Sequence, residues 1–227
     1  MEELVIRPLE KERSWTAEEV PVLEARVSLP QPAEGYGRIR RFYALQCRSF
    51  LRYCQGELLP WANTQAKAAL LHSTPVPCFQ AELTWQETYR AGNLWSLYTQ
   101  LRESAPPGPE AVRRWGDTWD LSTGYPVPLS AWFPPRTPWK KRLLAAAEAE
   151  IRRQERRGEA RYHPDWPKRL RRAFHAQRYY LTPEGIAFFF PMYALAPAAE
   201  GVPTFLLPWE GEAPVRTEAL PWTEKPS

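Results

Sequence analysis

The chain has 227 residues and a formal net charge of +4, with 44% apolar residues, 13% aromatics, 11 Trp and 25 Pro. It can enclose one large core or two small ones, is too apolar for a disordered chain, and stays below the low-complexity range for Pro and Gly. No run approaches the roughly 18 apolar residues of a membrane-spanning helix.

The first residues, MEELVIRPLEKERSW, lack a basic segment followed by an apolar one, so no signal peptide is read there. The expected location is cytoplasmic as the chain stands, or extracytoplasmic if a leader has been removed. Residues 1–25 carry seven acidic and three basic side chains, and residues 1–19 read as an acidic, mobile lead-in. The segment PVLEARVSLP then alternates Leu23, Ala25, Val27 and Leu29 with Glu24, Arg26 and Ser28, the pattern of a half-buried strand. Residues 38–72 follow helical spacing, with Pro60 expected to kink or split the run. From Val76 the period becomes two, giving a strand through Phe79, Ala81, Leu83 and Trp85 and a second one over LWSLYTQLRES. The stretch SAPPGPE, Ser104 to Glu110, reads as a linker.

Beyond it, Ser122-Thr123-Gly124 predicts a turn between two short strands. Thr137-Pro138 predicts a helix start, and Gly158 its stop. Trp139, Leu143, Ala147 and Ile151 form the apolar stripe of that helix, and Trp166, Leu170 and Phe174 that of a shorter one. Thr182-Pro183-Glu184-Gly185 predicts a hairpin turn with Gly185 at positive φ, followed by an apolar strand from Ile186 to Tyr193. Pro191 is expected at an edge or bulge, and GVPTFLLPW as a last strand. The fold class is α+β: an N-terminal subdomain over 20–106, a C-terminal one over 107–210, both of mainly antiparallel sheet packed by helices, and a tail over 211–227.

Catalytic signatures are missing. There is no phosphate-binding glycine loop, nucleophile elbow, paired cysteines at metal spacing or H-E-x-x-H. The pattern implies no enzyme, no cofactor and no metal. Cys47 and Cys54 share a helical face about 10 Å apart along the axis, beyond disulfide reach, and read with Cys78 as structural thiols. Asp117 and Asp120 fall on opposite faces of a strand, so Asp120 is expected to brace the following turn rather than act with Asp117. The tryptophans, Trp115 and Trp119 among them, read mostly as core. Residues 136–178 hold 14 Lys and Arg against 5 Asp and Glu. Lys141, Arg152, Arg153, Arg156, Lys168, Arg169 and Arg172 form a candidate phosphate-binding face, the basis of a nucleic-acid alternative. The plainer reading is a solvated outer face, because the interleaved aromatics fall on the apolar stripes.

Two stretches carry a family likeness. DTWDLSTGYPVPLSAWF, followed by two helices and AFHAQRYYLTPEGIAFFFPMYALAPAAEGVPTFLLPW, resembles the C-terminal region of the anti-sigma-V factors. The matching positions are Asp120, Thr123-Gly124, Leu129, Phe133, Tyr180 to Ile186, Tyr193, Ala196-Pro197 and Gly201, and the likeness spans about residues 20–208. It implies an α+β, non-enzymatic sensor region, which in that family recognises lysozyme. The function expected here is a soluble binding module for a protein or cell-wall component, with Pro191, Tyr193 and Pro197 as candidate partner contacts. A tight lysozyme complex is not expected, because both proteins are basic and Ala198 stands where the family carries an aromatic.

Overall fold

A computed structural model describes residues 5–209. The chain forms two compact units, one from Met1–Trp85 and Thr99–Val112, the other from Gln86–Tyr98 and Arg113–Ser227. The division is therefore not one cut at the proline-rich loop, because three strands run through both units. The fold is α+β, with a six-stranded sheet in the order β1-β2-β3-β4-β5-β6 and a three-stranded one in the order β7-β8-β9.

The first unit opens with β1 (Ile6–Ala17) and β2 (Val20–Pro32), a long antiparallel hairpin. This corrects the expected lead-in. Residues 6–17 are a strand whose side chains are exposed or only partly buried, which is why they show no apolar alternation. In β2 the predicted face is buried: Leu23, Ala25, Val27 and Leu29 are at most 3% exposed. The chain then passes through α1 (Gly37–Tyr53) and α2 (Leu59–Leu71), both packed on β2, into β3 (Phe79–Ala91). β3 pairs with β2 in parallel, Leu23 opposite Phe79, because the two helices return the chain to the same end of the sheet. Between α1 and α2, residues Cys54–Leu58 form one π-helical turn, with the Leu59 N–H reaching Cys54 O. Pro60 lies just inside α2 and has no N–H to give. The wider turn before it lets the helical path continue without a break.

The cysteines of this unit sit in apolar surroundings. Cys47 and Cys54 are buried, and burial pushes the Cys54 thiol up to about 12. Cys47 and the half-buried Cys78 are raised by the same cause.

The second unit takes up β4 (Leu94–Ser104), β5 (Ala111–Asp120) and the two-residue β6 (Tyr125–Pro126). The expected turn at Ser122-Thr123-Gly124 lies between β5 and β6, and β6 stops after two residues. Pro126 and Pro128 cannot donate to a ladder, and the chain turns into a single 3-10 turn over Leu129–Trp132. Next come α3 (Trp139–Arg157) and α4 (Trp166–Ala173), then β7 (Tyr179–Thr182), β8 (Gly185–Phe189) and β9 (Thr204–Pro208). α3 starts a residue later than expected, at an N-cap Pro138, and ends as expected on Gly158 at φ 66°. Its stripe is fully buried at Leu143, Ala147 and Ile151.

Every residue of β8 is buried. Ile186 and Phe188 face the main core with Phe190 and Phe205, while Ala187 and Phe189 pack with Tyr180 in a smaller cluster on the opposite face. β8 is the middle strand and is covered on both sides, as its unbroken apolar run suggested. It ends at Phe189, short of the expected Tyr193. Gly185 is not at positive φ. It is needed because a Cβ there would lie 2.2 Å from Leu207 O on β9.

Gly116 on β5 is more constrained still: a Cβ would meet Tyr179 O at 1.9 Å and Tyr179 C at 2.7 Å, both backbone. Gly116→Ala is expected to destabilise the protein by about 3 kcal/mol, the upper end of overpacking costs, as read by chemical denaturation. For the thiols, alkylation of the native protein at pH 8 is expected to modify Cys78 first. Cys54, with its thiol near 12, should react about a thousandfold more slowly than an ordinary cysteine until denaturant is added.

Candidate functional site

A surface concavity belongs to the segment between β5 and α3. It is built outward from Asp120, whose Oδ1 accepts from Asn93 Nδ2 at 2.9 Å, Ser122 N at 2.9 Å and Ser122 Oγ at 2.6 Å. Gly124, at φ 70°, closes the turn by donating to Asp120 O at 2.7 Å. This is the turn-bracing role expected of Asp120. Its carboxylate is committed to structure.

The next residues are pinned from beneath. Val127 N donates to Thr118 O at 2.7 Å. The buried Tyr179 hydroxyl donates to Val127 O and accepts from Trp132 Nε1 at 3.1 Å. Burial pushes the Tyr179 phenol well above its ordinary range, so it stays a neutral donor. Five prolines fall within residues 126–138. They remove donors and fix φ, so this segment is stiff although it has almost no regular structure.

Its outer surface forms an open cavity of about 810 Å³, lined by Tyr125, Phe133, Trp139, Pro126, Pro128, Pro134, Pro135 and the polar Asp120, Thr123, Ser130, Arg136 and Thr137. A second cavity of about 710 Å³ shares Thr137 and Trp139 and continues along α3 and α4 past Lys140, Lys141, Leu144, Glu148, Pro167 and Arg171. Trp139 is the partition between them. Its ring stacks on Phe133 at 6.2 Å and 25° and tilts against Phe174, also at 6.2 Å. Arg142 lies 5.8 Å over the Phe133 ring and Lys140 lies 5.5 Å over that of Phe174. Tyr125 is 57% exposed. Arg136, also exposed, is held at φ 67°, a conformation uncommon for residues with a side chain.

The acids lining these cavities are already engaged, Asp120 as above and Glu148 with Arg152 at 2.8 Å. Neither cavity is lined by His or Cys. Among the described residues no group of three His, Cys, Asp or Glu side chains is placed to hold a metal. The arrangement offers apolar contact, aromatic faces and cationic rims.

The structure divides the residues singled out from sequence. Of the basic set, Lys141 lines the second cavity. Arg152 pairs with Glu148, Arg153 with Glu150 and Glu159, and Arg169 with Asp165, so the basic face is interrupted by its own carboxylates. Arg156, Lys168 and Arg172 are exposed and line neither cavity. Pro191, Tyr193 and Pro197 are also exposed, on the segment between β8 and β9, and likewise line neither cavity. Tyr193 sits at φ 68° and is 45% exposed, an unusual backbone state for a bulky side chain. At helical spacing Trp139 reads as core, and Tyr125, Arg136 and Arg171 carry no local pattern that marks them. The density of prolines between two aromatics was the signal available.

Fold and site together define a mixed α+β domain of two compact units with an aromatic, proline-walled surface on the second. Residues 132–210, which include part of that surface, match the family DUF3298, described as a protein of unknown function. Among solved structures, the chain is similar to a DUF3298 family member from Bacteroides fragilis NCTC 9343, at 13% identity over 91% of each chain with a TM-score of 0.63. It is similar also to a DUF3298 family protein from Pseudomonas aeruginosa PAO1, at 11% identity over 91% of each chain with a TM-score of 0.61. At these identities the likeness is one of fold. No curated protein matches the sequence. Among the described residues no helix is long and apolar enough to cross a membrane.

The strain at Tyr193 gives a direct test of what that side chain is for. If it makes no contact of its own in the free protein, Tyr193→Gly should hold or raise stability, and Tyr193→Ala should lower it relative to Gly by about 1 kcal/mol, the cost of a Cβ in the left-handed region. Thermal melts of the two variants check the order.

Proposed function

We propose that this protein is a non-catalytic binding module whose ligand surface is the pair of cavities on either side of Trp139. One observation carries the reading. Two adjoining concavities share Trp139, the first is walled largely by prolines and rings, and the acids of both are already tied into hydrogen bonds or an ion pair. Such a surface is preorganised for contact, since little side-chain or loop freedom remains to be lost on binding. The resemblance to the sensor region of anti-sigma-V factors supports a protein or cell-wall component as the class of ligand.

Lysozyme itself fits this surface poorly. The cavity rims carry exposed Arg136, Lys140, Lys141 and Arg171, and a basic partner would meet like charge there. The nucleic-acid alternative gains nothing from the ion pairs that interrupt the basic face of α3 and α4.

Calorimetry with an animal lysozyme, a soluble peptidoglycan fragment and a panel of extended peptides tests the proposal. Reversible binding within the panel should weaken at least tenfold in Tyr125→Ala, and no sub-micromolar lysozyme complex should form. A one-to-one sub-micromolar lysozyme complex lost in Tyr193→Ala would move the site to the β8–β9 segment. Chemical conversion of any bound component would overturn the non-catalytic reading.

A further inference from the structure

We infer that the Trp139 cavities accept an extended, acidic, proline-containing peptide segment of a partner protein; this rests on reading that surface as the ligand site. The argument begins with charge. Arg136, Lys140, Lys141 and Arg171 are exposed on the two rims and form no ion pair among the described residues. The two rim acids cannot offset them locally, because Glu148 is bound to Arg152 and Asp120 is held by Asn93 and Ser122. An incoming carboxylate therefore finds exposed cations lining both cavities, while a basic ligand finds no available acid.

The second part of the argument is shape and hydrogen bonding. The first cavity is walled largely by proline and aromatic rings, the surface that polyproline-type segments use, since such segments pay little ordering entropy and present outward carbonyls. Those carbonyls need donors, and proline walls supply few. Trp139 lines both cavities, and its indole N–H donates to no protein group among the described residues, which leaves one donor for a ligand carbonyl. Apolar residues of the ligand would seat in the two concavities that border Trp139, against Tyr125 and the prolines in one and Leu144 in the other, with acidic residues reaching the exposed cations.

A nucleic acid would ask for something different: a continuous cationic track with exposed ring faces for stacking. Here the cations beyond the rims are broken up by Glu150, Glu159 and Asp165, and the Trp139 ring is already occupied by Phe133 and Phe174.

The experiment titrates the full chain with a blocked peptide of repeated Glu-Pro-Pro-Ala units and with its Lys-for-Glu counterpart, at two salt concentrations, by calorimetry and tryptophan fluorescence. The acidic peptide should bind at least tenfold more tightly than the basic one and weaken as salt rises. The double variant Lys140→Glu, Lys141→Glu changes exposed side chains and should fold normally. It should lose at least tenfold in affinity, and Tyr125→Ala a comparable amount. Equal binding of both peptides, or no loss in the charge-reversed variant, overturns the inference. An oligothymidylate or a peptidoglycan fragment that binds with Tyr125 dependence while the acidic peptide does not also overturns it, and leaves the surface itself as the ligand site. If none of the probes binds, both the inference and the reading beneath it fail.

Discussion

The close approach of β5 to β7 is the constraint from which the second unit follows. Gly116 lets the Tyr179 backbone come within a distance that any side chain would block. A second tie lies beside it, where the Leu181 N–H donates to the buried Ser96 Oγ at 2.8 Å and that hydroxyl bonds Thr118 Oγ at 2.7 Å. A buried polar group left without its partner costs about 1–3 kcal/mol, so these bonds fix register as much as they add stability. With β7 set in this way, the Tyr179 ring can only point beneath the proline segment. There its hydroxyl holds Val127 and Trp132. The cavity walls on the outside are thus a consequence of a backbone contact on the inside.

The same logic runs through the rings. Phe133 stacks on Trp139, Trp139 meets Phe174, Phe174 meets Phe190, and Phe190 packs on Phe188 and Phe205 of the main core. Contacts of this kind are worth about 0.5–1.5 kcal/mol each beyond simple burial. The surface ring at Trp139 is therefore anchored to the centre of the three-stranded sheet. A loop without regular hydrogen bonding would ordinarily be a poor place for a binding surface. This one is held by prolines from within the chain and by an aromatic chain from below.

What the sequence revealed and what it hid divide along the range of the interactions. Alternation in β2, the four-residue stripe of α3 and the apolar run of β8 are local patterns, and the structure keeps all three. β1 escaped because its charged residues face water on both sides and its only strong signal is the partner it pairs with. Gly185 was assigned to the turn correctly but for the wrong cause, since the demand on it comes from β9, some twenty residues further along. The parallel pairing of β2 with β3 depends on how two helices return the chain, which no local pattern records. The Trp139 surface was hidden for a related reason. At helical spacing a tryptophan reads as core, and only the fold shows that one edge of the ring borders two concavities.

Charge shows the same separation between count and placement. Residues 136–178 hold 14 basic and 5 acidic side chains, which suggested one broad basic face. In the folded chain four of those acids, Glu148, Glu150, Glu159 and Asp165, sit against arginines on the solvent side of α3 and α4. The pairing draws the Glu150, Glu159 and Asp165 carboxyls below their ordinary range, with hydrogen bonds from Arg153 and Arg169 as the leading cause. Exposed pairs of this kind add little stability, and their effect here is on the shape of the field. They consume positive charge along the helices and leave the rims of the Trp139 cavities among the places where cations stand exposed. Exposed cations beside an apolar, ring-lined surface favour a ligand that combines apolar and acidic residues, and that preference arises from where the acids fell rather than from how many bases the chain contains.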